Sequence, residues 1–193
     1  VIFQLVLSMW PQCPIAVAPL LYLDIETTGL HPERGARITE IGVVDRKAIW
    51  LHWTGTPSEA TYDAALSGAL SDVAGVLRSG VVVAHNLRFD LGFLAREADR
   101  LGGPGFRLRC IDTLGLARHV LRRGSPAATN RLSVADYTLA SLLQAFGIAP
   151  QGTLHTALGD ARSTRALLGA LVEYGGLTTL RDARMRRVAW DAF

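Results

Sequence analysis

Leu20-Leu21-Tyr22-Leu23-Asp24-Ile25-Glu26-Thr27-Thr28-Gly29 sets two acids into an otherwise apolar, strand-like run. Side chains alternate faces along a strand, so Asp24 and Glu26 point the same way, roughly 7 Å apart at the backbone. Two carboxylates on a buried strand repel one another and lose hydration, which is costly unless positive charge sits between them. A divalent cation is the simplest compensation. The plainer alternative is a strand end opening into a polar turn, with one acid capping loop amides.

Working outward, the strand occupies 20–27, Ile38–Val44 reads as a second and Ala48–Trp53 as a third, in an antiparallel meander. Ser58–Leu77 is Ala-rich and helix-like, interrupted by Gly68 and Gly75. Val81-Val82-Val83-Ala84 is wholly apolar, which suits a buried central strand. It runs into His85-Asn86 and a helix to about Arg100, with Leu87, Leu91, Leu94 and Ala98 on one face. Arg109–Asp112 reads as another short strand, Thr113–Leu121 as a helix and Arg122–Arg131 as a polar loop. Val134–Phe146 reads as a helix closed by Gly147, and Thr156–Tyr174 as a last helix stopped by Gly175-Gly176. Strands followed by alternating helices and strands give an α/β fold with a mixed sheet.

The chain has 193 residues, of which 49% are hydrophobic, enough for one domain with a real core. Net charge is +3, which permits a nucleic-acid partner without requiring one. Cys13 and Cys110 have neither zinc spacing nor a disulfide framework, so reduced thiols in a cytoplasmic protein are expected. No apolar run is long enough for a membrane span. Residues 1–19 are expected to be an N-terminal arm or extra edge strand, 20–176 the main domain, and 177–193 a basic tail carrying Arg181, Arg184, Arg186 and Arg187.

Two further acids complete the set. Asp90 opens the helix after the fourth strand, where a solvated helix residue is the plain alternative. Asp160 sits at the edge of the inward stripe of the last helix, formed by Ala157, Ala161, Thr164, Leu167, Leu168 and Leu171. His155 is five positions before Asp160, about 140° away on a regular helix. The two converge only if His155 lies in the loop before that helix.

Asp24-Ile25-Glu26-Thr27-Thr28-Gly29, then Ala84-His85-Asn86-Leu87-Arg88-Phe89-Asp90, then His155-Thr156-Ala157-Leu158-Gly159-Asp160-Ala161 resemble, in that order, the DEDDh family of 3′→5′ exonucleases. Within that family the chain is similar to the proofreading epsilon subunits of bacterial DNA polymerase III. The resemblance implies a ribonuclease H-like fold, a mixed five-stranded sheet flanked by helices. It implies that Asp24, Glu26, Asp90 and Asp160 hold two Mg²⁺ ions, with Mn²⁺ able to substitute, and hard oxygen ligands suit both. It makes His155 the general base, an imidazole being a group that titrates near neutrality. It places Thr27, Gly29, Leu30, Asn86 and Phe89 around the terminal nucleotide, with Leu30 as a wedge against the last bases. The implied partners are a single-stranded DNA or RNA 3′ end, DNA rather than RNA, and a DNA polymerase. His85 reads as structural. Arg88 stands where the family often has a small residue. Arg118, Arg122, Arg123 and Arg131, and the tail arginines, read as a solvated face by default; the alternative is that they line the approach of a single strand, or, for the tail, contact a partner. Two other readings are a tethering module without activity and a phosphatase of the haloacid dehalogenase type. The latter normally has Asp where Glu26 stands.

Overall fold

The computed structural model describes residues 10–47, 49–103, 107–124 and 132–189. Six strands form one sheet: β1 Leu20–Thr27, β2 Ile38–Val44, β3 Ile49–Thr54, β4 Val81–Ala84, β5 Arg107–Asp112 and β6 Arg186–Ala189. Their order is β3-β2-β1-β4-β5-β6. The meander β1–β2–β3 is antiparallel, β1–β4 and β4–β5 are parallel, and β6 returns antiparallel to β5. Among the described residues five α-helices cover the sheet: α1 Tyr62–Arg78, α2 Leu87–Arg100, α3 Thr113–Arg123, α4 Leu139–Ala145 and α5 Ala157–Gly175.

Alternation along β1 sorts the core into two layers. Leu21, Leu23 and Ile25 pack with Leu66, Val73, Leu91 and Leu94 of α1 and α2. Leu20 and Tyr22 pack with Leu116, Val120, Leu167 and Leu171 of α3 and α5. Asp24 and Glu26 continue the second face, under α5. All four residues of β4 are buried, each valine contributing about 1.5–3 kcal/mol relative to exposure.

The sheet has six strands rather than five. The added strand comes from the expected basic tail. Arg186–Ala189 pairs through its backbone with β5, which needs no apolar alternation of its own at a sheet edge. Two short 3₁₀ turns, Trp10–Gln12 and Ile15–Val17, stand where an extra edge strand was one expectation. Prolines break up that stretch, and Pro14 makes only an isolated bridge to Thr179. Residues 1–9 of the arm, 190–193 of the tail, Ala48 and Arg131 lie outside the described residues.

The helix expected over Val134–Phe146 is shorter. Asp136 accepts the amide and hydroxyl of Thr138, and the Thr138 hydroxyl accepts the Ser141 amide, so the cap starts the helix at Leu139. Likewise α1 begins at Tyr62 rather than Ser58. Both cysteines are free. Among the described residues no helix is long and apolar enough to cross a membrane.

Candidate active site

The chain leaves β1 toward β2 on one side and returns to β4 on the other. The parallel ends of β1 and β4 therefore open a crevice where the direction of winding changes, the usual location of a site in such sheets. Asp24 and Glu26 lie near the end of β1, Asn86 and Asp90 just beyond β4, and Asp112 at the end of β5.

Carboxylate oxygens of Asp24, Glu26 and Asp160 all lie within 4.8 Å of one another. Burial pushes the Asp24 carboxyl well above its usual range, and the charges of Asp90, Asp160, Glu26 and Glu40 push it further. Glu26 is raised by burial and by Asp160 and Glu40, against an opposing pull from His155. Asp160 is also raised by burial, opposed by the His155 amide and ring. Asp90 lies outside the 4.8 Å group and is 2% exposed. Burial raises its carboxyl, opposed by its own amide and that of Ile25, between the two β1 acids.

Asp160 Oδ1 is buried without a hydrogen-bond partner. An orphaned carboxylate oxygen facing two more acids is a costly arrangement for protein alone. Hard oxygen donors converging in this way fit a divalent cation of the magnesium class.

His155 lies in the loop just before α5, with φ of 60°, and donates its amide to Asp160 Oδ2 at 3.3 Å. The left-handed turn is what lets two residues of unlike helical phase meet. Thr156 caps the helix by accepting the Gly159 amide. The helix sits very close to β2: a Cβ on Gly42 would fall 2.7 Å from the Ala157 carbonyl carbon and 2.8 Å from the Leu158 nitrogen.

Leu30, Asn86, Arg88, Phe89 and Phe93 line an adjoining cleft of about 310 Å³. Leu30 is 74% exposed, and Phe89 tilts against Phe93 with centroids 4.9 Å apart. Thr27 donates its hydroxyl to the Gly29 carbonyl at 2.7 Å, so it shapes the turn after β1. Asn86 adopts φ of 66°. His85 is held at both ring nitrogens, by Thr113 at 3.0 Å and the Tyr137 carbonyl at 2.9 Å.

Two residues of the site carried no assigned role in the sequence. Asp112 Oδ1 accepts the amides of Asn86, Leu87 and Leu114, tying the start of α2 to β5. Glu40 stands directly across from Glu26 on β2 and contacts His52 Nε2 at 2.8 Å. Its signal is of the same kind as that of Asp24: an acid within a largely apolar strand, here between Ile38 and Ile41.

A mixed sheet with carboxylates gathered at its switch point makes an acidic cleft whose oxygen donors suit a divalent cation. The exonuclease family model matches residues 54–168, more than half of the chain, and the chain belongs to this exonuclease family. The match takes in Asp90, His155 and Asp160; Asp24 and Glu26 precede it. The haloacid dehalogenase reading falls with it. The chain is 30% identical over 178 residues to a PolC-type DNA polymerase III of Thermotoga maritima, covering 81% of this chain and 12% of that one. It is 29% identical over 194 residues to the DNA polymerase III subunit epsilon of Rickettsia prowazekii, covering 87% and 77%. The chain thus spans a small part of the PolC-type relatives. Two solved structures share the ribonuclease H-like fold. Cell-death related nuclease 4 matches with TM-score 0.62 at 12% identity, over 88% of this chain and 68% of that one. E. coli exonuclease I, solved with a dT13 oligonucleotide, matches with TM-score 0.55 at 18% identity, over 81% and 41%.

Proposed function

We propose that this exonuclease is a Mg²⁺-dependent enzyme that works 3′→5′ on single-stranded ends, DNA in preference to RNA, releasing nucleoside 5′-monophosphates. The observation that carries the reading is the convergence of Asp24, Glu26 and Asp160 within 4.8 Å, together with a buried Asp160 oxygen that has no partner. Asp24, Glu26, Asp160 and Asp90 would hold the cations. Bound there, a pair of cations supplies charge stabilisation to the attacking and departing oxygens of an in-line displacement.

The remaining work belongs to the side chains. His155 is exposed at the mouth of the cleft, tethered to Asp160 by its amide, with its ring available to accept the proton of the attacking water. Leu30 and Phe89 offer apolar surface on which the last bases stack. Asn86 and Arg88 border the same cleft with polar atoms suited to sugar and phosphate. Thr27 and Gly29 form the turn that brings Leu30 to the cleft. The relatives named as DNA polymerase III proteins favour DNA, and they favour a polymerase as partner.

The test compares 3′-end-labelled with 5′-end-labelled oligonucleotides, in Mg²⁺, in Mn²⁺ and in EDTA. Mononucleotide should appear at once from the 3′ label, and a shortening ladder from the 5′ label. Absence of cleavage in either metal defeats the reading, as does mononucleotide release from the 5′ label first.

A further inference from the structure

Charge is divided unevenly between the two ends of the sheet. β5 and β6 carry Arg107, Arg109, Arg186 and Arg187, and α3 carries Arg118, Arg122 and Arg123. The turn before β6 adds Arg181 and Arg184. Residues 107–123 and 181–189 thus hold nine of the 20 basic residues but two of the 17 acids, leaving 11 against 15 elsewhere. The net charge of +3 is a basic edge set against an acidic remainder.

The two acids there are already engaged. Asp112 accepts the three amides at the start of α2 and α3. Asp182 accepts the amides and hydroxyls of Thr178 and Thr179. Among the described residues none of the nine arginines forms an ion pair. Instead they crowd one another. Arg109 and Arg187 stand directly opposite across β5 and β6, an arrangement that destabilises a ladder. Arg109 lies over the Trp10 ring at 4.1 Å, with its Nε buried and unpartnered. Arg184 approaches His119 Nδ1 at 3.0 Å and Arg123 approaches Nε2 at 3.4 Å. A neutral imidazole has one acceptor nitrogen, so two guanidiniums compete for it.

Compensation of the helix dipole accounts for Arg122 and Arg123 in the last turn of α3. It does not account for Arg107, Arg109, Arg184, Arg186 and Arg187, which lie on no helix. We infer that this edge is a second nucleic-acid surface, which grips the phosphate backbone of a long substrate away from the carboxylate cleft. The inference rests on the exonuclease reading for its ligand. Arg187 on β6 stands three strands across from Asp24 on β1, about 14 Å, and about 13 Å away along the strand direction. A long strand seated in the cleft can reach the edge, and a trinucleotide held there cannot cover both. Contacts of this kind are independent of base sequence and dependent on salt.

The experiment uses the exposed pair Arg184→Ala/Arg187→Ala. Binding of a fluorescent oligothymidylate of about 30 nucleotides is followed by anisotropy in EDTA across a salt series. The variant should bind roughly tenfold more weakly at low salt, with a log–log salt slope shallower by about 1.4, two single-strand phosphate contacts. Its kcat/KM on a trinucleotide should equal that of the unaltered chain. Unchanged affinity and slope overturn the inference. So does unchanged DNA affinity accompanied by lost binding of a polyglutamate peptide, which would assign the edge to an acidic protein. If the unaltered chain cleaves neither substrate, the exonuclease reading fails, and the EDTA titration still decides the surface.

Discussion

Gly42 on β2 and Ala157 at the start of α5 approach so closely that a Cβ on the glycine would meet the Ala157 carbonyl carbon at 2.7 Å. This contact lets the helix lie on the sheet at the height where Asp160 and His155 reach the acids of β1. Backbone atoms form the obstacle, so no side chain can turn aside. Gly42→Ala should therefore cost about 1–3 kcal/mol of stability by overpacking. It should lower kcat on the order of 10²-fold, because displacement of a catalytic group by about 1 Å has that effect. Thermal melts beside single-turnover rates check this. A variant with lowered Tm and normal kcat would show that the close approach serves packing alone.

Much of this site can be read along the chain, and the reason is local. Asp24 and Glu26 stand out because apolar neighbours make them costly, and the alternation of a strand places them together. The condition that His155 precede its helix follows from helical phase alone, and the left-handed φ meets it. What stays hidden depends on distant pairing. β6 reads as a charged tail because Arg186-Arg187-Val188-Ala189 acquires strand geometry only from β5, far earlier in the chain. Glu40 joins the acids only through its register opposite Glu26. Asp112 gains its role from amides on two different helices.

His155 adopts a backbone conformation that most side chains resist, and Asn tolerates it better than most. His155→Asn should leave Tm within about 2 °C of its starting value, a change small for a chain of this size. It should lower kcat by a factor on the order of 10² or more through loss of the general base. Rapid-quench kinetics at saturating Mg²⁺ would check it. Retention of full kcat would remove His155 from the chemistry.

Leu30 is 74% exposed on the turn after β1, beside Phe89. Surface apolar residues contribute little to folding, so Leu30→Ala should shift stability by less than about 0.5 kcal/mol. Its cost should appear with substrate. Stacking against a base is worth about 1–3 kcal/mol, which predicts a KM raised roughly fivefold to a hundredfold on single strands. An unchanged KM would leave Leu30 as plain surface.

The turn bearing Leu30 is held from beneath. Arg37 donates from Nε to Glu97 at 2.6 Å and from Nη2 to Asp63 at 2.8 Å. Arg100 bonds the same two acids. Glu97 is 3% exposed, whereas Asp63 is much more open. The buried member should dominate. Glu97→Ala should cost about 3 kcal/mol, since it leaves two guanidiniums without their buried partner. Asp63→Ala, exposed and screened, should cost clearly less. Denaturant melts of both variants check the order, and a reversed order would refute the argument.

The carboxylate cluster links stability to pH and to metal. Asp24, Glu26, Asp90 and Asp160 are all raised by burial above their usual range. The folded chain therefore holds more protons than the unfolded chain between the ordinary carboxylate range, about 4, and the raised values. Stability conferred by these groups is present below that window and is lost as pH rises through it. Asp63 and Asp182, pulled down to about 2 by their hydrogen-bond partners, titrate below the window. His85 and His119, lowered chiefly by desolvation, oppose the trend within it, and the four raised carboxylates outnumber them. In EDTA, Tm should fall as pH rises from about 4.5 to 7. Mg²⁺ should reverse the fall, because it replaces the protons as the neutralising charge. At a hundredfold excess over its Kd the ion adds about 2.7 kcal/mol, or roughly 5–10 °C for a chain of this length. Asp160→Asn, which removes a charge from the cluster while keeping its shape, should flatten the pH dependence in EDTA, lose most of the Mg²⁺ response and abolish turnover. Differential scanning fluorimetry across pH, with and without Mg²⁺, reads the first two, and release of mononucleotide from an end-labelled oligonucleotide reads the third. A pH dependence in EDTA that is the same in Asp160→Asn as in the unaltered chain, or a Tm that ignores Mg²⁺ at neutral pH, would mean that these oxygens are not gathered around a shared cation site.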